Sequence, residues 1–135
     1  MRVYIASKYL AHEKINNKIY SALLEAGFDV FLPKSINIDA ISAEEMLLVG
    51  EKCYDELDNC DVVIVVEPYG NSVSSEIGYA LCQRRLLQKN KKIILFSNTL
   101  DSGATKSEAM ITPFFDAKVS SIQDLVIYLK ETMDY

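Results

Sequence analysis

The five residues Val62-Val63-Ile64-Val65-Val66 are all β-branched and apolar, with Asp61 before them and Pro68 and Gly70 close behind. Such a run has no polar face, so both of its sides must be covered, as in a central strand of a parallel sheet. Parallel neighbours need crossover connections, and helices usually supply them. The chain has the pieces. Val3 to Ser7 reads as a first strand, and Ile15, Ile19, Leu23 and Ala26 mark one face of a helix over about 11–26 that stops at Gly27. Phe28 to Leu32 is a second strand ended by Pro33, and Ser35 to Ala40 is a loop. Ser42-Ala43-Glu44-Glu45 has the form of a capping box and opens a helix to about Asn59, with Met46, Val49, Cys53 and Leu57 inward. After the central strand, the pattern predicts a helix from about Val73 to Gln88 and a fourth strand from Lys92 to Ser97. Leu100 to Pro113 is irregular, Phe114 to Val119 holds a short fifth strand, and Ser121 to Thr132 is a final helix.

Strands alternating with helices predict an α/β fold: a three-layer, doubly wound parallel sheet, flavodoxin- or Rossmann-like, with five strands in the order 2-1-3-4-5. The 135 residues fit one domain spanning 1–135. In that order the first and third strands are neighbours, and ligands bind at their carboxyl ends, where the winding changes direction. A site is therefore expected from Tyr4 to Tyr9 and from Glu67 to Glu76.

Composition narrows the partners. Half the residues are apolar, so a core is available, and 14 Lys+Arg against 19 Asp+Glu give a net charge of −5. That balance argues against a nucleic-acid polymer or an anionic membrane, which both need clustered positive charge. A small phosphorylated ligand needs only one local site. The single histidine, His12, and the three cysteines, Cys53, Cys60 and Cys82, lack metal-site spacing, and Cys53 and Cys60 are expected to face the core. No apolar run reaches bilayer length, and the N-terminus enters a strand at once without a signal peptide, so a cytoplasmic, reducing location is expected.

The segment after the third strand reads Glu67-Pro68-Tyr69-Gly70-Asn71-Ser72-Val73-Ser74-Ser75-Glu76-Ile77-Gly78-Tyr79-Ala80-Leu81. Gly70 permits a turn, and Asn71, Ser72 or Ser74 is placed to cap the helix. Glu76 then falls in about the first turn, where amides and the helix dipole favour an ionised carboxylate. An acidic residue there also serves helix stability alone. A carboxylate at the mouth of a crevice can attack an anomeric carbon and form a covalent glycosyl intermediate.

Ser72-Val73-Ser74-Ser75-Glu76-Ile77-Gly78-Tyr79-Ala80 resembles the Glu-x-Gly-Tyr-Ala signature of the nucleoside 2-deoxyribosyltransferase family, which includes related nucleotide N-glycosidases. Val3-Tyr4-Ile5-Ala6-Ser7 is similar to that family's first strand. The resemblance implies that Glu76 is the nucleophile and that Tyr4 orients or tunes it. It implies a nucleoside or nucleoside 5′-monophosphate against Ala6, Ser7, Lys8, Gly70, Asn71, Ser72 and Ser74, with no metal or redox cofactor. It also implies a homodimer or higher homo-oligomer. Tyr69 and Tyr79 either line a base pocket or pack.

Two departures stand out. The family often places a base-binding aspartate where this chain has Gly70, and another where counting back from Asp61 gives Cys53, with Asp55 two positions away. Asp61 itself reads as a strand-start residue. The missing aspartates, together with Ser72, Ser74 and Ser75, resemble the N-glycosidase branch, in which serines hold a 5′-phosphate. Plain capping also accounts for such serines. The alternative is a non-catalytic nucleotide-binding or sensing domain on the same fold. A flavodoxin-like or response-regulator-like module is a weaker fit, lacking the acidic cluster of a receiver and any flavin signature.

Overall fold

A computed structural model describes residues 1–33, 42–97 and 108–133. The expected loop over Ser35 to Ala40 lies outside them, as does most of the irregular stretch from Leu100. Five strands, β1 (Arg2–Ala6), β2 (Asp29–Phe31), β3 (Val62–Val66), β4 (Lys92–Phe96) and β5 (Ala117–Val119), form one sheet in the order β2-β1-β3-β4-β5. Every pairing is parallel, with Tyr4 opposite Phe31 on one side and Val63 on the other. Four helices join them: α1 (Glu13–Glu25), α2 (Ala43–Asn59), α3 (Asn71–Leu86) and α4 (Ile122–Met133). This is the expected doubly wound topology.

All five residues of β3 are buried, as an apolar run without a polar face requires. Alternate side chains divide the core into two layers. Val3, Ile5, Val62, Ile64, Ile94 and Phe96 meet Ile19, Leu23, Leu125 and Leu129 of α1 and α4. Tyr4, Ala6, Val63, Val65, Ile93 and Leu95 meet Leu57, Val73, Ile77 and Ala80 of α2 and α3. Among the described residues, no helix is long and apolar enough to cross a membrane.

Local signals read from sequence reappear as contacts. Gly27 follows α1 with φ +91°, a conformation that strains other residues, and Phe28 N–H then bonds the Leu23 carbonyl at 3.0 Å. Ser42 Oγ accepts the Glu45 N–H at 3.1 Å, the expected cap of α2. Asp61 is the strand-start residue it resembled, its carboxylate accepting the Arg2 N–H at 2.8 Å across the β1–β3 seam.

Other expectations fail. Met46 is 43% exposed, not inward, and Val49 and Cys53 are only half-buried. Burial in α2 is confined to Glu56 and Leu57, because periodicity marks the apolar side of a helix but not how much sheet lies beneath it. Cys60 is buried as expected. The range Phe114 to Val119 does hold the expected short strand, over Ala117–Val119, and a 3₁₀ turn, Thr112–Phe114, with Pro113 inside it, precedes it.

Candidate active site

α3 begins at Asn71, two residues earlier than the sequence pattern predicts, and Gly70 is its N-cap residue. That shift moves Glu76 beyond the first turn, which holds no acidic residue. No side chain caps the helix. Ser74 and Ser75 instead donate their hydroxyls back to the carbonyls of Gly70 and Asn71, at 3.0 and 3.2 Å, while Asn71 and Ser72 stay exposed. Capping by Asn71, Ser72 or Ser74 is thus not what is found. Gly70 has φ −122°, which any residue adopts, so the turn does not require glycine. What crowds the position is Lys8, whose Cε lies 2.9 Å from where a Cβ on Gly70 would stand. Exposed Lys8 therefore reaches from the end of β1 to the start of α3. Between them, Ala6 is buried and the Ser7 hydroxyl is enclosed without a hydrogen-bond partner.

Tyr4 rises from β1 on the sheet face that also carries Val63 of β3 and meets α3. It is fully buried, and its ring packs against Phe31 with centroids 5.4 Å apart. Its hydroxyl lies within hydrogen-bonding reach of the Glu76 carboxyl and the Cys53 thiol. Neither contact closes with regular geometry, so Tyr4 Oη and Glu76 Oε2 are enclosed without a partner. Two unsatisfied polar atoms face one another here, which is costly unless a ligand or water completes their bonding.

The electrostatics follow from enclosure. Burial pushes the Glu76 carboxyl up to about 7, against a smaller opposing effect of the nearby Tyr4 hydroxyl. The carboxylate held ionised by a helix terminus is therefore not what the structure contains: lost hydration outweighs the dipole once Glu76 leaves the first turn. Burial, then the charges of Glu76 and Cys53, drives the Tyr4 hydroxyl far above its ordinary range. Burial also raises the Cys53 thiol, which stays protonated at neutral pH.

A cavity of about 600 Å³ opens beside this trio, between the end of β2 and the facing sides of α1 and α2. Tyr9, Tyr20, Phe31, Leu48, Lys52 and Cys53 are part of its wall. The Lys52 ammonium stands 5.8 Å from the Phe31 ring centre and pairs with Glu56 at 2.8 Å. Sequence reasoning reached Cys53 only by counting back from Asp61, and it did not find Phe31 or Lys52. Nothing in a short second strand or an amphipathic helix marks which residues will share a wall.

Several other candidates prove structural. Tyr79 does not line the cavity but packs, half-buried, against the core layer beneath α3; its hydroxyl donates to Asp58 at 2.6 Å, and that bond lifts it to about 12. Asp55 is exposed on α2. Tyr69 is buried in the layer beneath α3. Phe114 is exposed and Phe115 half-buried. Lys91 turns inward to the Leu57 carbonyl and to Gln83. Arg84 pairs with Asp116 at 3.2 Å, which ties α3 to the chain entering β5.

No protein-family model and no curated protein matches this chain by sequence. Solved structures do match. A 2-deoxyribosyltransferase from Bacillus psychrosaccharolyticus aligns over 93% of this chain and 90% of its own, with a TM-score of 0.71 and 20% identity. A 2-deoxyribosyltransferase from Leishmania mexicana aligns over 96% and 97%, with a TM-score of 0.61 and 18% identity. A CMP N-glycosidase from Clostridium botulinum aligns over 98% and 99%, with a TM-score of 0.57 and 18% identity. The resemblance read from Glu76-Ile77-Gly78-Tyr79-Ala80 is thus met across nearly the whole chain, which has the fold shared by 2-deoxyribosyltransferases and a CMP N-glycosidase.

Proposed function

We propose that this chain, acting as a single domain, breaks the N-glycosidic bond of a nucleoside or nucleoside 5′-monophosphate through Glu76. The ionised Glu76 carboxylate attacks C1′, an ester bond to the sugar forms, and the C1′–N electron pair leaves with the base. A second base or a water then attacks C1′ and releases Glu76, giving transfer or hydrolysis. Tyr4 holds its proton too tightly to act as an acid, so its part is to donate a hydrogen bond that orients Glu76, and solvent protonates the departing base. The observation that carries this reading is the enclosed Glu76–Tyr4 pair, each with an unpartnered oxygen, next to Cys53, which forms part of a cavity wall. The solved structures that share the fold are named for glycosyl transfer and N-glycosidic cleavage, which supports the same reading.

A 5′-phosphate fits the start of α3. The first amides of a helix have no partner within it, no side chain caps them, and the Lys8 chain lies against Gly70. Ser72 adds an exposed hydroxyl, whereas the hydroxyls of Ser74 and Ser75 must leave their carbonyls to contribute. A homodimer or larger assembly belongs to the same proposal; sedimentation of a monomer only, at micromolar concentration, removes it.

Glycine at 70 and cysteine at 53, in place of carboxylates, favour the second reading: a nucleotide-binding or sensing domain without turnover. One assay separates the two. The protein is incubated with nucleosides, deoxynucleosides and their 5′-monophosphates, with and without an acceptor base, and released or exchanged base is measured. Glu76→Ala is expected to lose at least about a thousandfold in rate while still binding ligand. Binding without turnover across the panel supports the sensor, and undiminished turnover in Glu76→Ala removes the nucleophile.

A further inference from the structure

The pairing of β1 with β3 runs from Val3 opposite Val62 to Ala6 opposite Val65 and stops there. Beyond it the two chains part. One enters α1 on one face of the sheet, and the other enters α3 on the opposite face. Sheet pairing therefore does not fix one connection against the other. Yet Tyr4 belongs to the first chain and Glu76 to the second, so their meeting depends on what holds the start of α3 in place.

His12 bridges the gap. Its N–H bonds the Lys8 carbonyl at 3.0 Å and its carbonyl accepts the Asn16 N–H at 2.9 Å, which makes residues 8–12 a turn leading straight into α1. The ring does not cap that helix. Half-buried, it reaches across to the β3–α3 connection, where Nε2 lies 2.9 Å from the carbonyl oxygen of Pro68. A carbonyl can only accept, so Nε2 carries the proton and is the donor.

Pro68 stands shortly before Gly70, the N-cap residue of α3. On its other side, the Glu67 N–H bonds the Phe96 carbonyl of β4 at 2.9 Å. The connection is thus pinned toward β4 by Glu67 and toward α1 by His12. Lys8, from the same turn that His12 closes, packs on Gly70 through Cε, a contact without the direction of a hydrogen bond. Glu76 lies less than about two helical turns beyond Gly70, so a displacement of the helix start is carried to its carboxyl group. Tyr4 does not follow, because β1 is paired on both sides. An error of about 1 Å between reacting groups costs up to about a hundredfold in rate.

We propose that His12 is a positioning residue for Glu76: its bond to the Pro68 carbonyl ties the β1–α1 connection to the β3–α3 connection and fixes where α3 begins against β1. This rests on the glycosyl-transfer reading of the site. The N–H donor, rather than the bulk of the imidazole, is what holds the connection, so another side chain that places an N–H at the same point should serve.

Three substitutions separate these roles. The amide nitrogen of glutamine stands as many bonds from Cα as Nε2 of histidine, that of asparagine is a bond short, and phenylalanine keeps a ring without a donor. With the nucleoside or nucleotide that the wild-type protein turns over fastest, kcat in His12→Phe and His12→Asn is expected to fall about ten- to a hundredfold, with KM within about threefold of wild type. His12→Gln is expected to recover kcat to within about threefold. Rates are divided by the folded fraction from urea denaturation, and His12→Asn carries the comparison where His12→Phe does not fold. A second readout needs no turnover: amide exchange over 74–77, at the start of α3, is expected to quicken in His12→Phe and His12→Asn and to slow again in His12→Gln. Wild-type kcat in His12→Phe and His12→Asn overturns the proposal and leaves glycosyl transfer standing, as does a loss that His12→Gln shares in full or one that shows as raised KM alone. If the wild-type protein turns over no substrate, glycosyl transfer is removed. Exchange that follows the donor then still shows His12 fixing α3, and exchange alike in all variants overturns that as well.

Discussion

A carboxyl group withdrawn from water keeps its proton to higher pH, and Glu76, at about 7, is poised within the range where cells operate. The nucleophilic form is the ionised one, so kcat/KM is expected to rise with pH and level off above about 7. Tyr4→Phe deletes the neighbouring hydroxyl that opposes this shift, and the rising limb should then move to higher pH. A limb unmoved in Tyr4→Phe, read from initial rates across pH 5 to 9, speaks against the pairing. Stability carries the same signature. The folded-state value exceeds the ordinary 4.5, so between these two values the unfolded chain gives up its proton first and stability falls as pH rises. Glu76→Gln should therefore stabilise the protein at pH 8 by as much as about 3 kcal/mol and change little at pH 4. Urea denaturation at both values checks this; a gap that does not vary with pH contradicts it. The identity of Glu76 was legible in its motif, but its environment was not, because a two-residue shift in the helix start decides whether the dipole or burial dominates.

Helices α2 and α3 are tied together through one residue the motifs do not mark. Asp58 accepts from the Tyr79 hydroxyl at 2.6 Å and from Gln83 Nε2 at 2.7 Å, and its backbone carbonyl accepts from Lys89 at 3.2 Å. The Tyr54 and Tyr79 rings, 4.9 Å apart, extend the same seam. The seam holds α2, which carries Cys53, against α3, which carries Glu76. Removing the carboxylate leaves a tyrosine hydroxyl and a carboxamide to find other partners. Asp58→Ala is expected to cost about 1 to 3 kcal/mol in urea denaturation. It should also weaken turnover through misplacement of the two helices, with Asp58→Asn recovering part of both. A variant as stable as wild type shows that the seam is incidental. From sequence alone Tyr79 was visible as part of a family-like block, yet its partner lies twenty-one residues away on another helix.

Across the whole molecule, stability should follow the sheet order. β3 is paired on both sides and buried on both faces, and β1 and β4 flank it with five residues each. β2 and β5 are three-residue edges. Hydrogen exchange is therefore expected to be slowest at the amides of 62–66 and their neighbours in β1 and β4, and fastest among the strands at 29–31 and 117–119. The edge at β2 also borders the cavity, through Val30 and Phe31, so the least secure strand forms part of the proposed binding wall. Protection at β2 that rises to the level of β3 when ligand is added would show the wall being completed by its occupant.

Local chemistry determined the element order, the parallel sheet, the Ser42 cap and the Gly27 stop, because a wholly apolar β-branched run and a glycine after a helix each leave the backbone few alternatives. The resemblance carried by Val3–Ser7 and by Glu76-Ile77-Gly78-Tyr79-Ala80 singled out Tyr4 and Glu76. Only the packed chain decided that these two face one another in an enclosed space with Cys53 beside them, since such a meeting depends on how far β1, α2 and α3 slide along each other. Dehydration is likewise a property of that packing, and it is dehydration that sets the charge on Glu76.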